Sequence, residues 1–189
     1  KYDEWKDTDV VEIATYFLDG VMQEFIDKTN GKEALKRTHM HAKKGRALGL
    51  GIMGWHSFLQ QRNLPFNSIA STAWTHTIMS KIKSQAEEAS RKLAVEYGEP
   101  LWCKGTGMRN THLLAIAPTV SNSSIAGCSA GIEPLPANVY TFNGAKGTFI
   151  VKNKELEKLL VERKKNTDKV WDQILVDGGS VQNLSSDVL

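Results

Sequence analysis

The sequence is poor in cysteine and has no long apolar run. Its two cysteines, Cys103 and Cys128, form neither a CxxC pair nor a disulfide framework, so we expect free thiols in a reducing compartment. No uninterrupted apolar run approaches the roughly 18 residues that a membrane-spanning helix needs. The charged N-terminus, KYDEWKDTD, lacks the apolar segment of a signal peptide. These absences predict a cytoplasmic chain.

The sequence also lacks a strong charge of either sign. The net charge is only +3, and the basic residues alternate with acidic ones, as they do between residues 152 and 169. A surface that binds nucleic acid or a membrane would concentrate basic residues, so we expect neither partner. What remains is 189 residues with 41% hydrophobic side chains, which is enough for one sizeable core.

Apolar side chains at helical spacing predict two long helices. The first follows Asp9, which can act as its N-cap, and ends at Asn30-Gly31. The second, of about thirty residues, follows Asn67 or Ser68 and ends at Tyr97-Gly98. Its expected buried face comprises Ile69, Ala73, Trp74, Ile78, Ile82, Ala86, Ala89, Leu93 and Ala94.

The C-terminal third predicts a hairpin and two shorter helices. Two β-rich runs, Val139 to Phe142 and Thr148 to Val151, flank the turn sequence NGAKG. Helices are expected from Asn153 to Arg163 and from Thr167 to Val176.

Two motifs resemble ligand-binding sites, but a structural role explains each of them better. His39-Met40-His41 has the spacing of a metal pair but no third ligand in view, and residues 32–46 are expected to form an exposed loop. Gly49 to Gly54 matches GxGxxG, the dinucleotide fingerprint. No clear strand precedes it, and no acid lies between Gly54 and Glu87 to hold a ribose. We therefore expect close backbone packing and a short helix over residues 55–61, and keep a nicotinamide enzyme as the weaker alternative.

The stretch from His112 to Pro134 is the most informative. His112 to Ala117 predicts a strand covered on both faces, which Pro118 ends. The hydroxyl-rich loop that follows leads into small residues that can open a helix, and free N–H groups at such a helix start form an anion site. The alternative is that Ser123 or Ser124 merely caps this helix. Arg109, just upstream, can assist an anion or pair with a carboxylate.

The sequence offers few candidates for catalysis. It shows no Ser–His–acid order, no nucleophile elbow and no carboxylate cluster of the metal-site type. If the chain belongs to an enzyme, we expect it to supply binding and scaffold.

Several motifs together resemble one family. Ala-Pro-Thr-x-Ser-x-x-x-Ile, residues 117–125, followed by Gly131-Ile132-Glu133-Pro134, resembles the substrate-phosphate loop of the ribonucleotide reductase large (catalytic) subunit. Further segments resemble the family in the same order, so that the resemblance covers essentially the whole chain: Arg46 to Gly51 with Gly54, Ala89-Ser90 to Gly98, Arg109-Asn110, and Asp177 to Gln182.

The resemblance implies an α/β fold, part of the ten-stranded α/β barrel of that family, helix-rich with a few strands and a β-hairpin. Residues 1–189 would form a single segment of the barrel domain, truncated at both ends. The implied activity is reduction of ribonucleotides to 2′-deoxyribonucleotides by a cysteine-radical mechanism, with motifs that look more like class I than class II.

The resemblance also implies the site. The substrate phosphates would be held by Thr119, Val120, Ser121, Asn122 and Ser123. The family's radical cysteine lies in Asn-x-Cys-x-Glu, which neither Cys103 nor Cys128 matches, so no catalytic residue and no metal ligand are expected here. The complete enzyme would need a radical generator, either a metal-containing small subunit or, in class II, adenosylcobalamin.

The implied partners are a nucleoside diphosphate, the remainder of the large subunit, the small subunit and a second large subunit in a homodimer. A non-catalytic alternative remains open. In it the chain is a split fragment that acts only by docking with a separate chain that carries the radical cysteine.

Overall fold

Helices dominate the fold of this chain. A computed structural model describes residues 2–144, 147–186 and 188. The helices are α1 Tyr2–Trp5, α2 Val10–Thr29, α3 Lys36–Gly45, α4 Trp55–Gln60, α5 Ile69–Tyr97, α6 Val120–Ala126, α7 Lys154–Glu162 and α8 Asp168–Val176, and the strands are β1 Val139–Gly144 and β2 Gly147–Lys152. Two compact units result: residues 1–52 with 67–118, and residues 53–66 with 119–189. Within the described ranges, no helix is both long and apolar enough to cross a membrane.

In the first unit, α2 packs against the long helix α5. The predicted bounds of α5 are confirmed: the Ser68 side chain accepts the Ser71 N–H at 3.1 Å, and Gly98 follows the helix with a φ of 81°. The expected buried face holds from Ile78 to Leu93. It is wrong at its start, where Ile69 is 90% exposed. Two serines of α5, Ser71 and Ser90, are buried instead, and the Ser90 hydroxyl group donates to Asn110 Oδ1 at 2.8 Å.

Helix α2 begins after Asp9 and ends at Thr29, as expected, and Gly31 follows with a φ of 73°. The Asp9 side chain makes no capping hydrogen bond, so the capping role predicted for it is wrong. The buried positions of α2 include a carboxylate, Asp19.

Residues 36–45 form helix α3, and the expected exposed loop is therefore wrong at these positions. The helix buries only Ala42 and Gly45, and Gly45 lies directly beneath the Trp102 ring. Such a narrow face of small residues produces no apolar periodicity, so the pattern that identified α2 and α5 is missing here.

Residues 112–117 run extended, but the prediction of a strand covered on both faces is wrong. One parallel bridge pairs Leu50 with Leu114, the Ala115 N–H donates to Leu50 O at 3.1 Å, and Ile116 is 48% exposed. The close approach explains the glycine motif, because a Cβ on Gly51 would overlap the carbonyl oxygen of Ala115. The expected backbone packing is confirmed.

The second unit contains the predicted hairpin and two predicted helices. Strands β1 and β2 are antiparallel, with Phe142 opposite Phe149; residues 145 and 146 of the expected turn lie outside the described residues. Helix α7 starts at an Asn153 cap and α8 at a Thr167 cap. Their core packs around Val139, Leu156, Leu160, Trp171, Ile174 and Val188.

Candidate functional site

The residues predicted to bind phosphate lie at the start of α6, in the second unit. Thr119 precedes the helix, Val120, Ser121 and Asn122 are exposed in its first turn, and Ser123 is buried. The first N–H of this helix to donate internally is that of Ser123, to Thr119 O at 2.9 Å. Among the described residues, neither the N–H groups of the three exposed residues nor the side chains of Ser121 and Asn122 have a hydrogen-bond partner. These donors face solvent and are available to an anion.

The alternative role of Ser123 or Ser124 as a helix cap is wrong. Both serines lie inside α6, where their hydroxyl groups donate to Val120 O at 2.9 and 3.1 Å. A serine that bonds back to a carbonyl inside the helix cannot satisfy the N–H groups at the helix start. Capping therefore does not account for the hydroxyl groups of this segment.

Thr119 has a conformation that is unusual for its side chain. Its φ is +29°, in a region that β-branched residues rarely adopt and that costs on the order of 1–3 kcal/mol. Its hydroxyl oxygen does not cap α6 but accepts the N–H of Gly131 at 2.8 Å. This hydrogen bond joins the start of α6 to the Gly131-Ile132-Glu133-Pro134 segment.

The start of α4 makes hydrogen bonds to Ser129 and Gly131. The Gly54 N–H donates to Ser129 O at 2.8 Å and the Trp55 N–H donates to Gly131 O at 3.3 Å. The side chains of Ser57 and Ser129 each accept the other residue's backbone N–H, at 2.9 and 3.2 Å. Gly54 has a φ of 81°, and a Cβ there would lie 3.2 Å from the Cys128 sulfur, so glycine suits this contact.

His56 adds one more link between α4 and this segment. Its Nδ1 accepts the Leu135 N–H at 3.0 Å, and its ring lies edge-on to Phe66. Burial lowers the pKa of His56 below its usual value, because the charged imidazolium loses hydration. The neutral form, which can accept at Nδ1, is therefore the one that suits this position.

A buried ion network occupies the first unit. The Asp19 carboxylate accepts from Arg46 Nε at 2.9 Å and Nη2 at 2.8 Å, from Arg109 Nε at 2.9 Å and from Asn110 Nδ2 at 2.9 Å. Arg109 also donates to the carbonyl groups of Tyr97 and Gly98. Of the two roles open to Arg109, pairing with a carboxylate is the one observed.

Neither cysteine is an activated thiol. Burial raises the pKa of Cys103, and Glu99 raises it further. Burial also raises the pKa of Cys128, although Lys154 opposes this effect. Because the thiolate is the reactive form, both environments favour an unreactive thiol.

The histidine pair does not form a metal site. His39 Nδ1 hydrogen-bonds Thr29 Oγ1 at 3.1 Å, and the His41 ring packs against Trp102. No group of three or more His, Cys, Asp or Glu among the described residues can hold a metal ion.

Sequence reasoning missed Asp19, His56, Ser57 and Ser129. Asp19 carried a signal, since an acid at the same helical face as Val11 and Thr15 must be paired if that face is buried. Ser57 and Ser129 carried none, because they are 72 positions apart and each is an ordinary serine in the sequence.

Comparisons with known proteins identify the family. The model of the ribonucleotide reductase barrel domain matches residues 1–103 and 101–187. A ribonucleoside-diphosphate reductase large subunit of Invertebrate iridescent virus 6 is 36% identical over 192 residues, covering 100% of this chain and 20% of the viral protein. A vitamin B12-dependent ribonucleoside-diphosphate reductase of Thermoplasma acidophilum is 30% identical, covering 94% of this chain and 23% of that protein.

A solved structure agrees with these relatives. The Actinobacillus ureae class Id ribonucleotide reductase alpha subunit superimposes with a TM-score of 0.89 at 43% sequence identity, covering 98% of this chain and 35% of that one. The chain thus spans between a fifth and about a third of these relatives. The prediction of a helix-rich part of an α/β barrel is confirmed. The chain belongs to the ribonucleotide reductase large-subunit family, within its barrel domain.

Proposed function

We propose that this chain is part of a ribonucleoside-diphosphate reductase large subunit and supplies its substrate phosphate-binding loop, Thr119 to Ser123. The complete subunit would reduce ribonucleotides to 2′-deoxyribonucleotides by a cysteine-radical mechanism. The observation that carries the proposal is the start of α6, where the N–H groups of Val120, Ser121 and Asn122 and the side chains of Ser121 and Asn122 are all free among the described residues.

The charge of the surrounding sequence supports a phosphate ligand. No acidic residue occurs between Asn110 and Ile132, so no carboxylate of this segment repels an anion. No lysine or arginine occurs there either, so the loop would bind phosphate through neutral donors. Backbone N–H groups at a helix start are well suited to that task.

The strained threonine also supports the proposal. Left-handed backbone at a β-branched residue persists only where its surroundings hold it, and such residues cluster at ligand sites. At Thr119 the hydrogen bond from the Gly131 N–H to the threonine hydroxyl oxygen stabilises this conformation. This conformation orients the N–H groups of residues 120–122 before a ligand binds. Less conformational entropy is then lost when the loop binds phosphate.

The radical chemistry would lie in the remainder of the large subunit. Neither cysteine of this chain lies in the Asn-x-Cys-x-Glu pattern of the family's radical cysteine, so no catalytic step is assigned to it. The radical generator would be a metal-containing small subunit or adenosylcobalamin. The relatives include a class Id alpha subunit and a vitamin B12-dependent enzyme. A homodimer of large subunits and a cytoplasmic location complete the proposal.

One observation favours the alternative of a split fragment. In α2 the side chains of Ile13 and Phe17 are 58% and 69% exposed, which suits a surface that docks with another chain. In this alternative the partner carries the radical cysteine, and the two chains would copurify in a fixed ratio.

The test uses the complete large subunit and two probes, cytidine diphosphate and cytidine. Ser121→Asp places a carboxylate among the free donors, and we expect it to weaken binding of cytidine diphosphate at least about tenfold, about 1.4 kcal/mol, in calorimetry. Binding of cytidine, which has no phosphate, should be unaffected.

The matched control is Ser84→Asp, the same change at an exposed position of α5. It should leave both affinities unchanged. Unchanged affinity of Ser121→Asp for cytidine diphosphate would remove the phosphate loop from the proposal.

A further inference from the structure

Two serines far apart in the sequence form a reciprocal pair. The Ser129 N–H donates to Ser57 Oγ at 2.9 Å, and the Ser57 N–H donates to Ser129 Oγ at 3.2 Å. Ser129 is only 1% exposed, so water does not compete for these groups. Two hydrogen bonds between the same two residues fix both their distance and their orientation.

This pair is linked to the phosphate loop by a short path. Ser129 is followed at two residues by Gly131, whose carbonyl accepts the Trp55 N–H and whose N–H donates to Thr119 Oγ1. Gly131 is itself buried. The start of α4 therefore holds both ends of a three-residue segment, and that segment holds Thr119 at its positive φ.

We propose that Ser57 is a positioning residue for the phosphate-binding loop and acts through Ser129 and Gly131 on Thr119. This inference rests on the proposed function of residues 119–123. Ser57 does not touch the phosphate. Without its hydroxyl group, the Ser129 N–H loses its acceptor, Gly131 is free to shift, and Thr119 can relax out of the strained conformation that aims the free N–H groups.

The test again uses the complete large subunit with cytidine diphosphate and cytidine as probes. We expect Ser57→Ala to weaken binding of cytidine diphosphate about tenfold and to leave binding of cytidine unchanged. Ser57→Thr keeps a hydroxyl group and should restore affinity to within about twofold of the parent. In steady-state assays the Ser57→Ala loss should appear in KM, with kcat little changed.

A double-mutant cycle separates positioning from general loosening. Ser57→Ala removes the acceptor of the Ser129 N–H, and Ser129→Ala removes the acceptor of the Ser57 N–H. If loss of either hydrogen bond is enough to free residues 129–131, the double variant should bind cytidine diphosphate no more weakly than the weaker single variant. Simple addition of the two effects would overturn the pairing. Thr148→Ala serves as control, because it removes one side-chain hydrogen bond of the same unit, to Asn143 in the hairpin, and should not change affinity.

The possible outcomes distinguish failure of the positioning role of Ser57 from failure of the proposed phosphate-binding function of residues 119–123. If Ser121→Asp abolishes binding and Ser57→Ala binds normally, even with a lower melting temperature, the positioning role is overturned and the phosphate loop stands. If neither variant affects binding of cytidine diphosphate, both proposals fail.

A second pair of variants applies if Ser57→Ala does not fold. His56→Leu removes the acceptor of the Leu135 N–H, and His56→Asn keeps an acceptor near the position of Nδ1. We expect weaker binding of cytidine diphosphate by the leucine variant than by the asparagine variant. Equal affinities would overturn the role of the α4 start in positioning the loop.

Discussion

Asp19 is the residue at the centre of the buried ion network of the first unit. Its carboxylate is buried with the guanidinium groups of Arg46 and Arg109, and one negative charge serves two positive ones. Burial alone would raise the pKa of Asp19, but hydrogen bonds from Arg46, Arg109 and Asn110 outweigh it and hold the pKa below its usual value. Such a network is stable only while every member is present.

Removal of this carboxylate should therefore be costly. Asp19→Ala leaves two buried guanidinium groups without their counter-ion, and we expect the free energy of unfolding to fall by about 3–5 kcal/mol. Denaturant unfolding followed by circular dichroism measures the change. Glu24→Ala, which removes an exposed partner of Lys28 on the same helix, should leave the midpoint unchanged.

The same residue should make stability depend on pH. Because the folded pKa of Asp19 is depressed, its contribution is fully present above the unfolded value of about 3.9 and is lost as pH falls through the folded value. Asp19→Asn cannot titrate, so its loss of stability on acidification should be smaller than that of the parent. Parallel pH profiles for the two proteins would show that Asp19 does not carry this dependence.

At the scale of elements, the contact between residues 48–51 and 112–115 depends on glycine. Gly51 faces the Ala115 carbonyl with no room for a methyl group, and Gly49 has the Ala115 Cβ 3.1 Å from the place where its own would lie. Backbone cannot yield as a flexible side chain does. The pairing of these two extended segments therefore requires Gly51.

We expect Gly51→Ala to lower the free energy of unfolding by about 1–3 kcal/mol, the range for overpacking in a tight contact. Gly20→Ala is the control, because a Cβ at that position in the middle of α2 would meet nothing within 4 Å beyond the adjacent residues and the helix's own backbone. There the substitution should stabilise the helix by about 0.5–1 kcal/mol. A Gly51→Ala protein as stable as the parent would mean that the two segments can separate without cost.

The elements that the sequence predicted are those with local signals. Helix α5 has a serine cap, a glycine stop and an apolar stripe, and each of these signals can be recognised from residues that are close together in the sequence. Helix α3 has none of these signals. For residues 112–117 the apolar run predicts a strand buried on both faces, but burial depends on residues distant in the sequence, which a local pattern does not show. For the candidate site, Thr119 and Ser121 belong to a legible loop, whereas Ser57 becomes relevant only through a contact across 72 positions.

At the scale of the whole molecule, the exposed face of α2 is the feature with the clearest consequence in solution. Ile13, Phe17 and Val21 follow one another at intervals of four residues, and so form a continuous apolar stripe on the helix surface. Apolar stripes of this kind promote association of a chain with copies of itself or with another protein.

We expect Phe17→Lys to weaken concentration-dependent self-association of the 189-residue chain by about tenfold or more, since a buried Phe contributes about 1.5–3 kcal/mol. Sedimentation velocity over a concentration series measures the change. Ile69→Lys replaces a more exposed apolar residue at the start of α5, outside the stripe, and should have no such effect. Equal association of the two variants would show that the stripe is not the contact surface.

The Asp19 network also sets the order in which the chain can fold. Asp19 contacts Arg46 across 27 positions, but it reaches Arg109 and Asn110 across 90 and 91 positions. The entropy of closing so long a loop must be overcome before these contacts can form, so they should assemble late, after α2 and α5 have docked. Interactions that form after the transition state slow unfolding and leave the folding rate unaffected. The two arginines would then chiefly lower the rate of unfolding and so prolong the lifetime of the folded chain.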